Sequence, residues 1–168
     1  MQKIARSKWC FLIALILCLA GAGARGQSAG SSDVAKRFIG TWRLVSIEGG
    51  NEQAVATRGP HPVGLIYYDN TGHMAVQIMP DRVRPKFAGA QPTGEEAQAA
   101  LAGYMAYFGT YTVDEKTQTV IHHREGAINP GGLGDTVRHY EFVSDDRLIL
   151  TPAGTSGDPN HLTWERIK

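Results

Sequence analysis

Eight short segments in which apolar and polar residues alternate are the strongest constraint on the fold of this 168-residue chain. Alternation with a period of two is typical of half-buried β-strands, and clusters of Gly, Pro, Asn and Asp separate the segments. Short connections favour antiparallel pairing. We therefore predict an all-β fold, an eight-stranded antiparallel up-and-down barrel, with a two-sheet sandwich as the competing architecture. The predicted strands are residues 40–48, 63–69, 72–79, 108–114, 119–125, 136–143, 147–151 and 161–167.

One segment departs from this alternation and predicts a single helix between the third and fourth strands. Thr93 and Glu96 have the spacing of a capping box, in which each side chain hydrogen-bonds a backbone N–H of the first turn. Apolar residues then recur at helical spacing through residues 92–108. We expect this helix to pack against an end or a side of the barrel. Its apolar face comprises Ala97, Ala100, Leu101, Tyr104, Met105 and Phe108.

The first 26 residues have the layout of a secretory signal peptide. Three basic residues precede an apolar run over residues 9–20, which is shorter than the roughly 20 residues needed to span a bilayer. Lipidation at Cys18 is disfavoured, because Leu17 is not the small residue expected before a lipidated cysteine. The sequence therefore predicts a secreted or periplasmic protein with no stable membrane insertion after the signal is cleaved.

The remaining chain is mildly acidic and contains no cysteine. Four of the 17 basic residues and none of the 16 acidic ones precede residue 27, which leaves a net charge of −3. This balance argues against a nucleic-acid partner, which would require a basic face. Because Cys10 and Cys18 both lie in the signal, the fold must be held by its core without a disulfide. We divide the chain into a signal peptide (1–26), a flexible lead-in (27–37) and a barrel domain (38–168).

The sequence motifs point to neither a metal nor a cofactor. The chain lacks the His-x-His, Cys-x-x-Cys and His-Glu-x-x-His spacings that are typical of zinc sites. It also lacks the Gly-x-Ser-x-Gly nucleophile elbow of α/β-hydrolases. We therefore predict no metal site and no cofactor.

The fifth and sixth predicted strands form a hairpin that holds three of the six histidines. Adjacent residues of a strand point to opposite faces, so His122 and His123 cannot both face the interior. A metal site built on this pair is therefore disfavoured. We place His123 inside, opposite the bulky aromatic face of the sixth strand, and His122 outside, beside Glu141.

The register of this hairpin determines which polar residues meet inside the barrel. With the loop centred on Gly131 and Gly132, Glu125 lies opposite Arg138 and His123 opposite Tyr140. A slip of one residue would reverse this assignment. Two interpretations of the inward trio Glu125, Arg138 and His123 remain open. It binds the polar end of a ligand, or it is a structural ion pair at the barrel mouth.

The two ends of the barrel sequence resemble lipocalins. These have a Gly-x-Trp on the first strand, here Gly40 to Trp42, and an arginine on the last, here Arg166, which packs across the tryptophan at the barrel floor. Together with "GLIYYDNTGHMAVQIM", "AYFGTYTVDE", "TVIHHREGAINP" and "VRHYEF", this pattern is similar to the bacterial and fungal lipocalin-like domain family over residues 38–168. The resemblance implies a calycin-type barrel and no established activity. The mid-chain helix and the missing disulfides depart from typical lipocalins, so their ligand classes are not carried over.

Binding of a small hydrophobic molecule in the barrel cavity is the leading functional hypothesis. Its expected contacts are His123, Glu125, Arg138, Tyr140 and Tyr111. The alternative is an acid–base enzyme of the isomerase, cyclase or hydratase type, with His123 as base and Glu125 as its partner on a lipid-like substrate. A porphyrin bound by a single inward histidine is the third possibility.

Overall fold

A computed structural model of the chain describes residues 33–154 and 157–168. The predicted signal peptide and residues 27–32 of the predicted lead-in lie outside the described residues. Eight strands dominate the described part. They are β1 Gly40–Glu48, β2 Val63–Tyr68, β3 His73–Met79, β4 Met105–Asp114, β5 Thr119–Ala127, β6 Gly134–Ser144, β7 Arg147–Pro152 and β8 His161–Arg166.

The strands form a closed barrel in which each pairs antiparallel with the next along the chain. β8 returns to pair with β1, with Trp42 opposite Arg166. This closure confirms the predicted up-and-down barrel and excludes the two-sheet sandwich. The alternation read from the sequence appears directly in β3, where Met74, Val76 and Ile78 are buried and their neighbours are exposed.

The predicted helix is present between β3 and β4, as α3 Gly94–Leu101, and Thr93 and Glu96 form the expected capping box. The prediction was too long at its C-terminal end, because residues 105–108 belong to β4. Gly103 adopts a left-handed conformation, with φ of 73°, between the two elements. Strand pairing with β3 overrides the helical spacing there and turns the side chain of Tyr107 into the interior.

Two further helices flank β1 and were not predicted. The first is α1 Asp33–Phe38, which includes residues 33–37 of the predicted flexible lead-in. That assignment was wrong for these residues because Phe38 is fully buried and packs edge-on against Tyr68, Tyr140 and Phe142. The second is α2 Glu52–Arg58, between β1 and β2.

The two ends of the barrel differ in how they are covered. We call the end where β1 begins the floor, and the end where β1 leads into α2 the mouth. At the floor, the Trp42 indole donates a hydrogen bond to the Phe38 carbonyl oxygen at 2.8 Å, and the Arg166 guanidinium lies 4.0 Å from the centre of the indole ring. This is the arrangement that the lipocalin resemblance implies. Gly40 is required beside it, because a Cβ there would lie 2.9 Å from the Arg166 Nη1 atom.

Candidate functional site

A cavity of about 460 Å³ lies at the mouth of the barrel, between the inner wall and α2. Its apolar wall comes from strand ends that face inward, including Ile47, Ile78 and Leu162. Helix α2 contributes Ala54, Thr57 and Arg58 from above. The remaining lining residues are Asn51, Gln53, Gly103, Met105, Arg138, Pro152 and Asn160.

Helix α2 is capped at its start and is tied to the barrel at its end. At its start, the Asn51 side chain accepts a hydrogen bond from the Ala54 backbone N–H at 2.8 Å, which is a standard N-cap. At its end, the Arg58 guanidinium donates to the carbonyl oxygens of Ile47 and Gly49 and to the Asn160 side chain, at 2.8–3.1 Å. Arg58 therefore ties the helix to the β1 end of the barrel rim.

Arg138 is the unusual residue of the cavity wall. It projects inward from β6 and retains only 9% of its surface exposed. Over the described ranges 33–154 and 157–168, its guanidinium has no hydrogen bond and no ion pair with protein groups, and its nitrogen atoms remain accessible to solvent through the cavity. Buried charges in proteins are normally paired, because an isolated charge loses its hydration without compensation.

A buried chain of three polar side chains crosses the barrel interior. The His122 ring bonds the Tyr68 hydroxyl through Nε2 at 2.8 Å and the Tyr107 hydroxyl through Nδ1 at 2.9 Å. Burial, helped by the nearby charge of Arg138, lowers the pKa of His122 from 6.5 to about 3. The ring is therefore neutral at pH 7, with one N–H donor and one acceptor nitrogen. Burial also raises the pKa of Tyr68 well above its ordinary value.

The placement of the two histidines reverses the prediction. His122, expected outside, is fully buried, whereas His123 lies on the outer face. The register explains this: Val120, not Glu125, pairs with Arg138, and that difference of five residues exchanges the two faces of β5. The predicted face of β6 was right, since Arg138 points inward.

The error arose in the loop of the hairpin. The last pair of the ladder joins Arg124 and Gly134, so the loop is centred on Asn129 instead of the Gly131–Gly132 pair. The Asn129 side chain accepts from the backbone N–H of Gly131 at 3.2 Å, and its carbonyl oxygen accepts from the N–H of Gly132 at 2.8 Å. The sequence signal was present in Asn129-Pro130, a dipeptide that favours turn initiation.

The structure does not bring the predicted site residues together. His123 contacts Asp135 at 2.7 Å and Thr112 at 3.0 Å on the outer face, and Glu125 is exposed. The arrangement required for the acid–base enzyme, with both side chains facing one substrate inside the barrel, is therefore not formed.

The two predicted aromatic contacts lie elsewhere, near the floor. The rings of Tyr111 and Tyr140 lie 6.4 and 5.2 Å from that of Phe38. Of the five predicted ligand contacts, Arg138 is the one that lines the mouth cavity.

The inward histidine does not offer the free nitrogen that a porphyrin iron would need. Both ring nitrogens of His122 are engaged by tyrosine hydroxyls, and the ring is fully buried.

In the part of the chain that the structure covers, no helix has the length and apolar character needed to cross a membrane.

Known proteins differ in how closely they resemble this chain. No curated protein matches the chain. Among solved structures, a redesigned beta barrel is similar over 79% of this chain and 94% of its own, at 12% identity and a TM-score of 0.43. The family model for the lipocalin-like domain matches residues 39–167, nearly the whole barrel. The chain therefore belongs to the lipocalin-like domain family.

Proposed function

We propose that this protein is a secreted or periplasmic carrier that binds a small hydrophobic molecule in the mouth cavity of its barrel. The observation that carries the proposal is a partly open cavity of about 460 Å³ between the inner wall and α2. Small-molecule sites in proteins typically have volumes of about 300–1,000 Å³ and predominantly apolar walls. The proposed location rests on the signal-like segment of residues 1–26.

We assign the proposed binding site to the mouth cavity and not to the larger depressions on the surface. One of about 700 Å³ lies between residues 82–87 and α3, outside the barrel. The mouth cavity instead draws its walls from inward-facing residues of the strands, such as Ile78 and Leu162. Those residues are positioned by the closed sheet, which supports a preformed binding site. The floor, plugged by Phe38 and Trp42, leaves the mouth as the accessible end.

Filling the cavity from α2 tests the proposal. Ala54 lines the cavity, whereas Ala56 lies on the same helix and is exposed to solvent. We expect Ala54→Trp to weaken binding of a neutral fluorescent probe such as Nile red at least about tenfold, roughly the loss of 1.4 kcal/mol. The matched control Ala56→Trp should keep the affinity of the unmodified protein.

Two results would contradict the proposal. One is the failure of the unmodified protein to bind neutral apolar probes. The other is binding that Ala54→Trp and Ala56→Trp leave equally intact. Native mass spectrometry of protein purified without detergent provides a second measurement, because a co-purified small molecule would add a discrete mass that organic extraction removes.

A further inference from the structure

The charged residues that line the mouth cavity are all positive. Two of its lining residues are arginines, and the lining contains no aspartate or glutamate. Arg58 uses three of its five N–H donors on two backbone carbonyl oxygens and Asn160, which hold α2 in place. Arg138 has no such partner within the described residues and is nine-tenths buried.

The buried polar chain, whose residues do not line the cavity, also has a surplus donor. Tyr68, Tyr107 and neutral His122 carry three hydrogens on their polar atoms, but only two hydrogen bonds join them. Whichever tautomer His122 adopts, one tyrosine hydroxyl hydrogen is left over. In the cavity itself, the Arg138 guanidinium without an acceptor favours a ligand group that accepts hydrogen bonds and carries negative charge.

We propose that the mouth cavity binds an amphiphile with one anionic group, such as a carboxylate, oriented with that group inward against Arg138. This inference rests on the proposed binding function and specifies the class of ligand. Arg138 provides the planar donor fork that matches a carboxylate in a bidentate contact. The apolar part of the ligand then contacts Ile47, Ile78 and Leu162 beneath α2.

The position of Arg138 along its strand supports the inward orientation. It is the fifth residue of β6, which begins at Gly134 on the mouth side, so it lies roughly 13 Å along the strand from that end. Its charge also reaches the buried ring of His122, whose pKa it helps to lower. A ligand with its charged group outward would leave Arg138 unpaired and would place its own apolar end against a cation.

Affinities for three probes show whether the protein recognises the anionic group of the ligand, its apolar chain or both. Decanoate carries both the anion and the apolar chain, 1-decanol carries the chain alone, and acetate carries the anion alone. We expect calorimetry to show decanoate binding about tenfold to a hundredfold more tightly than 1-decanol, the range expected for hydrogen bonds to a charged group. Acetate should bind much more weakly than decanoate, because it lacks the chain.

Two matched variants test the role of Arg138. Arg138→Gln should bring the affinity for decanoate to within about twofold of that for 1-decanol, while 1-decanol binding is retained. Arg43→Gln removes the same charge from the outer face, where Arg43 pairs with Glu165, and should preserve the preference for decanoate. Circular dichroism spectra and melting curves of both variants would establish that the barrel is intact.

The outcomes separate this inference from the proposed function. Equal affinity for decanoate and 1-decanol, unaffected by Arg138→Gln, would overturn the anionic class and leave the binding function standing. Acetate binding as tight as decanoate would also overturn the amphiphile, since a small anion would then suffice. Failure of both decanoate and 1-decanol to bind would contradict the binding function and the ligand class together.

Discussion

Two arginines point into the barrel from opposite ends, and their surroundings differ sharply. At the floor, Arg166 stacks on Trp42 and donates to the carbonyl oxygens of Arg37 and Ile39 at 2.6 Å and of Asp145 at 3.1 Å. At the mouth, Arg138 lines a cavity with no partner among the described residues. The arginine side chain at the floor therefore makes structural hydrogen bonds, whereas the one at the mouth has donors available for a ligand.

The comparison separates a structural cation from a candidate binding cation. Hydrogen bonds to a charged group stabilise a fold when both partners are present, but a buried charge without partners destabilises it. Arg166 should therefore contribute to stability, whereas Arg138 should reduce the stability of the empty barrel. Replacement of each arginine by methionine, which is similar in length and uncharged, tests this contrast.

The largest effect is expected at the floor. Arg166→Met removes three hydrogen bonds to carbonyl oxygens and the contact with the Trp42 ring. We expect the free energy of unfolding to fall by about 3–5 kcal/mol, from charged hydrogen bonds of about 1.5–3 kcal/mol each, partly replaced by water, and a cation–π contact of about 0.5–2 kcal/mol. Urea denaturation measures this change, and a loss below about 1 kcal/mol would refute the structural role.

The second-largest effect is expected in the pH dependence of the free energy of unfolding. It arises from the buried polar chain of Tyr68, His122 and Tyr107, which lies between the two ends. Folding lowers the pKa of His122 from 6.5 to about 3, so the unfolded chain binds a proton in this window and the folded chain does not. The contribution of the neutral, buried His122 ring to the free energy of unfolding is complete above pH 6.5. It falls as the pH decreases towards 3. Between pH 6.5 and 4.5 we expect a loss of about 2 kcal/mol, at a slope of at most about 1.4 kcal/mol per pH unit.

Denaturation at several pH values, compared between variants, isolates this contribution. His122→Gln should flatten the pH dependence by about the same 2 kcal/mol, whereas His139→Gln, at an exposed position of β6, should leave it unchanged. Identical pH profiles for the unmodified protein and His122→Gln would show that His122 is not buried in the neutral form.

The smallest effect is expected at the mouth, and it has the opposite sign. Arg138→Met should raise the free energy of unfolding of the ligand-free protein by about 1–2 kcal/mol, because an apolar side chain replaces a largely buried cation that has no protein partner. For a domain of this size the melting temperature should rise by about 2–4 °C per kcal/mol. A destabilisation comparable to that of Arg166→Met would contradict the distinction between the two ends.

Much of the barrel was predictable because its elements are encoded locally. The alternation in "HMAVQIM" is the burial pattern of β3, and the capping box of Thr93 and Glu96 starts α3 where it was expected. Helix α1 was missed because six residues carry little periodicity, and what holds them in place is the distant packing of Phe38 against Tyr68 and Phe142.

The candidate site was less predictable because it depends on register. Arg138 was correctly placed inside, since the aromatic residues on its face of β6 indicated the buried side. His123 and Glu125 were placed inside by a loop centred two to three residues too late, and a register error of odd size exchanges the faces of a strand. The turn-forming dipeptide Asn129-Pro130 marks the observed position of the loop.

The sequence by itself determined the number and order of the strands, the interruption by α3 and the tryptophan and arginine of the floor. The strands and α3 follow from side-chain periodicity and capping, which act between residues close in the chain, whereas the tryptophan and arginine of the floor follow from the resemblance to lipocalins. Only the tertiary structure decided that His122 is the inward histidine, that α2 covers the mouth and that Arg138 has no described partner. These depend on strand register and on contacts between distant segments, where a shift of one residue changes which side chains share the interior.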